Sequence, residues 1–258
     1  MSRFGPLESH VLVVGGLLAA AGLAWWLTVA RMAGMDAAPG THLGTVGWFT
    51  VTWAAMMAAM MLPSLAPVAR SATAVWRHIP GRTVLFVGGY LLTWTLAGVA
   101  AYAVVAIARH ATGLAWGSGG RWLSAGVLIL AAVYELSPIK RAFLGRCRCP
   151  PAAPSSCGRH PPVVEGMRAG LCCLGCSWAL MAALFALGVM SLTWMALVAV
   201  LVTFEKLAPW PRAGVALAAA VLMAIAFGVA AFPRNVPGLV VPAGHGSMAS
   251  MSMSNARR

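Results

Sequence analysis

The chain has 258 residues, of which 60% are hydrophobic and 9% charged, with a mean hydropathy of +0.83. A soluble domain carries about 45–50% apolar and about 25% charged residues, so a soluble globular domain is excluded. The formal charge of +13, from 18 Lys+Arg against 5 Asp+Glu, would suggest nucleic acid in a soluble protein. Here the basic residues sit between apolar stretches, which points to anionic lipid and membrane topology and away from nucleic acid. Composition removes reaction classes as well. No Gly-rich loop is followed by Lys-Ser/Thr, so there is no P-loop for ATP. None of the 6 His residues lies in the middle of an apolar segment, so no Ser-His-Asp triad can be drawn within one. The only lysines are Lys140 and Lys206, and the last apolar segment has none for a retinal Schiff base. Sulfur is plentiful, at 6 Cys and 15 Met.

Seven apolar segments, each close to the ~20 residues that cross a bilayer, are expected near 11–30, 47–69, 84–108, 122–138, 171–190, 192–207 and 213–232. The expected fold is an all-α polytopic membrane protein, with about seven transmembrane helices in one bundle over residues 1–232. The first segment has no clear small-x-small cleavage site before Arg31 and reads as a retained anchor. Residues 171–204 are one apolar run too long for a single crossing. A hairpin is expected at Gly188-Val189-Met190-Ser191.

With the N-terminus inside, one side holds Arg3, Arg70, Arg77, Arg82, Lys140, Arg141, Arg146, Arg148, Arg159, Arg168, Lys206 and Arg212, which is 12 cations. The other holds Arg31, Arg109, Arg121, Arg234, Arg257 and Arg258, which is 6. The positive-inside rule therefore predicts a bacterial cytoplasmic (inner) membrane protein with its N-terminus in and C-terminus out. Two polar regions remain. Residues 139–170 read as a basic, Cys-rich cytoplasmic loop, and residues 233–258 as a flexible tail rich in Gly, Ser and Met.

Four clusters carry chemistry. In Trp53-Ala-Ala-Met-Met-Ala-Ala-Met-Met-Leu-Pro63, the pairs Met56/Met60 and Met57/Met61 are four apart and project from the same side of a helix. They form a soft thioether surface, or pack as gap-fillers between helices. In Leu171-Cys-Cys-Leu-Gly-Cys-Ser-Trp-Ala-Leu-Met181, the thiols of Cys172, Cys173 and Cys176 are expected on one helical face, as ligands for Cu(I) or, second, Zn(II). Cys173 and Cys176 also form a Cys-x-x-Cys pair, so a thiol-redox role stays open although no enzyme activity is expected. Cys147, Cys149, Cys157 and His160 offer three sulfurs and an imidazole with irregular spacing, for a zinc clip or a labile relay. In the tail, His245, Met248, Met251 and Met253 suit capture of copper on the outer side, which Met32 and Met35 also face.

Glu135 and Glu205 end the fourth and sixth segments, and intramembrane carboxylates are by default functional. Pairing with Lys140 or with the adjacent Lys206 is the alternative. On the predicted topology Met60, Met61, the three thiols and both carboxylates come from four segments to one depth on the cytoplasmic side.

With these residues in view, the chain resembles an uncharacterised bacterial family of metal-binding integral membrane proteins, some of whose members are labelled copper chaperones. The resemblance covers most of residues 45–210. It rests on Trp53 through Ser64, Pro138-Ile-Lys140, Cys147-Arg148-Cys149-Pro150, Gly170 through Met181, Gly188-Val-Met190, Trp194-Met195 and Glu205-Lys206-Leu207. The chain departs from the family pattern at Phe143 and Ser177, where Cys is usual, and at Ser191, where Asn is common. The resemblance implies a membrane-embedded protein that binds Cu(I) and moves it across the bilayer or delivers it to an apo-metalloprotein. An accessory or assembly subunit of a membrane complex, without a stable metal, and a membrane thiol-redox protein are the alternatives.

Overall fold

The computed structural model describes residues 6–32, 45–75, 81–112, 120–148, 160–187 and 191–231. Cys149, Cys157, Met35, His245, Met248, Met251 and Met253 lie outside the described residues. Within them the chain is all helical. The helices are α1 (Pro6–Met32), α2 (Val46–Val75), α3 (Arg82–Thr112), α4 (Gly120–Glu135), α5 (Pro138–Arg148), α6 (Pro162–Leu187), α7 (Leu192–Leu207) and α8 (Pro211–Ala231).

Four of these helices open on proline, whose fixed φ and missing N–H suit the first helical position. At α5 the preceding Ser137 adds a cap, its Oγ accepting from the Lys140 backbone N–H at 3.1 Å. Gly81 reaches φ 84° just before α3, a left-handed position that a side chain disfavours.

α6 is the hub, packing against α3, α4, α5 and α7, while α2 sits between α1, α3 and α7, and α8 lies on α4 and α7. Small residues allow the tightest of these crossings. A Cβ at Gly89 would lie 2.1 Å from the Val163 carbonyl oxygen, and one at Gly166 would lie 2.0 Å from that of Phe86. The α3–α6 backbones therefore touch, as close packing of apolar helices requires. Tyr134 Oη donates to the Gly175 carbonyl at 2.6 Å and Ser124 Oγ to that of Ala186 at 3.0 Å, tying α4 to α6. The outer surface carries Leu12, Leu23, Trp26, Val84, Val104, Ile107, Leu130 and Phe227, all largely exposed. So large an apolar exterior is compatible with lipid.

Three expectations change. Among the described residues, five helices are long and apolar enough to cross a membrane, or six if the bent pair α4–α5 counts as one, where seven segments were expected. The two expected segments that fall short are α4 and α7, at 16 residues each. α6 ends at Leu187 and α7 starts at Leu192, and Gly188, Val189 and Met190 of the expected hairpin lie outside the described residues. α6 begins at Pro162, nine residues before the expected start, whereas α7 has the expected bounds and is 16 residues long. At 1.5 Å per residue that is about 24 Å, short of a ~30 Å hydrocarbon core. Finally, residues 139–170 are not a loop throughout. α5 turns 65° from α4 and is amphipathic, with Phe143, Leu144 and Cys147 turned inward and Arg141 and Arg146 exposed. Its basic face hides this period from a hydropathy reading.

Candidate metal centre

Three helices bring sulfur together inside the bundle. α2 supplies Met61, α5 supplies Cys147, and α6 supplies Cys172, Cys173 and Cys176. Cys173 Sγ lies 3.9 Å from Met61 Sδ, and Cys147 Sγ lies 3.6 Å from Cys176 Sγ. A metal held at about 2.3 Å from each of two sulfurs allows them up to about 4.6 Å apart, so both pairs are within bridging range. Among the described residues, no three His, Cys, Asp or Glu side chains form a preset metal site. The thioether is what extends the donor set around Cys173.

Gly175 positions the α5 contribution. A Cβ there would meet the Phe143 ring at 2.6 Å, so glycine lets α5 lie flat on α6 and bring Cys147 over Cys176. Pro63 and Pro67 lie within α2 just past Met61. Neither can donate a backbone hydrogen bond.

The two deepest thiols have different company. Cys173 is buried, and its sulfur accepts from Tyr90 Oη at 2.9 Å and from Lys206 Nζ at 2.8 Å. The same ammonium donates to Ser64 Oγ at 3.3 Å, which itself donates to the Met61 carbonyl at 2.9 Å. Cys176 is equally buried and turns toward Cys147 and Ser177 Oγ, the latter 3.4 Å away. Cys172, only partly buried, lies 3.5 Å from the Phe143 carbonyl oxygen. A cavity of about 200 Å³ opens beside this group, lined by Ser64, Tyr90, Cys147, Cys172, Cys173 and Lys206, with Arg146, Glu165 and Arg168 around it.

Not every predicted ligand joins. Met56, Met57 and Met60 are buried in the main apolar core, where the sequence left packing open as an alternative. Glu135 and Glu205 converge on Lys140 instead. Lys140 Nζ donates to Glu205 Oε2 at 2.8 Å and makes a tight ion pair with Glu135 Oε2, and all three side chains are buried. His160 is described and exposed, at the start of the segment that leads into α6.

Sequence reasoning missed Lys206 and Tyr90 as partners of Cys173, and Ser64 as a partner of Lys206. One signal was present: a lysine in the last turn of an apolar helix, in a chain with only two, has to be explained by a specific partner.

A family model described as PpoB2: Copper chaperone matches residues 50–229. That range contains every residue of the sulfur group and covers well over half of the chain. No curated protein and no solved structure matches.

Proposed function

The chain belongs to the PpoB2 copper chaperone family, and from that premise we propose that it carries Cu(I) as cargo on Cys173, Met61, Cys176 and Cys147 and delivers it to a partner metalloprotein. The observation that carries this reading is the meeting of two sulfur pairs, 3.9 and 3.6 Å apart, from three helices. Thiolate and thioether are soft donors and favour Cu(I) over Zn(II), which prefers a closed tetrahedral set. A few exchangeable sulfurs suit a carrier, because copper can pass from one to the next one ligand at a time. On the positive-inside rule the Lys206 end of α7 faces the cytoplasm of a bacterial inner membrane.

The test is metal content by mass spectrometry on detergent-purified protein, loaded with Cu(I) under reducing conditions. A Zn(II)-loaded sample and a Cys173→Ser/Cys176→Ser variant run in parallel. Stoichiometric copper in the wild type and its loss in the variant are expected. An intact wild type that retains no copper would overturn the reading in favour of an accessory subunit without metal. A thiol-redox role now concerns Cys147 and Cys176, whose sulfurs are 3.6 Å apart, in place of the Cys-x-x-Cys pair. Thiol titration before and after mild oxidation tests it on the same samples.

A further inference from the structure

The cavity beside Cys173 has the wrong charge for a bare copper ion. Arg146 and Arg168 stand at it exposed to solvent, the Arg168 side chain at 56%. Lys206 enters from α7, with its ammonium 2.8 Å from Cys173 Sγ. One acid offsets these three cations: Glu165, which holds Arg168 at 3.5 Å. A free cation approaching the thiols meets net positive charge, focused by the apolar walls of the cleft. The space is also larger than one ion needs, at about 200 Å³.

Both features suit an anion of small-molecule size. Resting on the copper-carrier reading above, we infer that this cavity receives copper as an anionic Cu(I)–thiolate complex of a small, carboxylate-bearing thiol. The arginines attract the complex and orient its carboxylates, and the thiols take the metal. Cys172 is the partly buried thiol of the α6 set and lies on the cavity wall, with the buried Cys173 next to it. Exchange starts at Cys172. Its thiol joins the copper and gives up a proton, one carrier thiolate leaves and takes that proton, and the step repeats at Cys173. Copper stays Cu(I) throughout, and no electron is transferred.

The test compares three donors of similar size and different charge: Cu(I) bound by 3-mercaptopropionate (anionic), by 2-mercaptoethanol and by cysteamine (cationic). Detergent-purified protein is mixed with each, desalted at timed intervals and assayed for copper. Wild type is expected to load from the mercaptopropionate complex faster than from the cysteamine complex by on the order of tenfold or more at low salt. The gap should narrow as ionic strength rises. Arg146→Gln/Arg168→Gln should bring the donors together, while Arg146→Lys/Arg168→Lys, which keeps the charge, should preserve their order. Wild-type loading that ignores donor charge, or a preference that survives the glutamine changes, would overturn this inference alone. A wild type that takes copper from none of the donors would instead overturn the copper-carrier reading.

Discussion

The chain has two lysines, and the fold draws both into its interior near the same end, in opposite company. Lys140 is fully buried and clasped by two carboxylates, Glu135 and Glu205. Lys206 is half-buried and meets a thiol and a hydroxyl, Cys173 and Ser64. The first cluster joins α4, α5 and α7, and none of its side chains lines the cavity beside Cys173. The second faces that cavity. Hard oxygen donors are thus held internally as a structural clasp, while the thiols of Cys147, Cys172 and Cys173 line a cavity. The difference separates what holds the bundle together from what can exchange a metal.

The sharpest way to break that contrast is Lys140→Met. It leaves two carboxylates buried without their ammonium, and removing one partner of a buried ion pair costs about 3–5 kcal/mol. A large fall in the thermal unfolding midpoint in detergent is expected. The variant Glu135→Gln/Lys140→Met/Glu205→Gln, which removes every charge, should recover most of the loss. If Lys140→Met released copper while leaving unfolding untouched, the carboxylate cluster would belong to the metal site and the contrast would fail.

Next in size is Cys173→Ser. Cys173 carries both the Met61 contact and the Lys206 contact. Its loss should weaken Cu(I) binding by more than about 100-fold, beyond the 10–100-fold usual for groups that only orient a ligand. Competition against a chromophoric Cu(I) chelator measures this. Cys172→Ser should cost less, since Cys172 contacts the Phe143 carbonyl and no thioether.

Gly175→Ala tests how α5 is held. The added methyl would meet the Phe143 ring at 2.6 Å, and overpacking of this kind costs about 1–3 kcal/mol. The ring must shift, carrying α5 and Cys147 away from Cys176. Copper affinity should therefore fall along with stability. Gly175→Ala/Phe143→Leu, which restores room, should regain both.

Much of this arrangement was legible in the sequence, and the failures have a common geometry. Segment order alone anticipated that Met61 would meet an α6 thiol and that the ends of α4 and α7 would come together. Adjacency misled. Glu205 and Lys206 are neighbours in sequence, but consecutive helical residues point about 100° apart and do not face each other. So Glu205 turns to Lys140 while Lys206 turns to Cys173. Cys147 and Cys176 meet across 29 positions, through a helix that its basic residues disguised as loop, and no spacing within one segment encodes that contact. The buried Met56, Met57 and Met60 were ambiguous for a different reason: a thioether ladder and a packing stripe have the same period.

That ambiguity sets the finest test. Met61 and Met57 stand one turn apart on α2, and both are fully buried, yet it is Met61 whose sulfur meets a thiol, 3.9 Å from Cys173. Leucine conserves volume, so each Met→Leu change should cost less than about 1.5 kcal/mol in stability, and the two variants should unfold alike. Their copper binding should not be alike. Met61→Leu removes a donor next to Cys173 and should weaken Cu(I) by about tenfold, equivalent to about 1.4 kcal/mol. Met57→Leu should leave affinity within about twofold, a difference of only about 0.4 kcal/mol. Equal losses at both positions would show that copper travels along α2 through successive thioethers, and the exchangeable region would then reach into the core that now reads as packing.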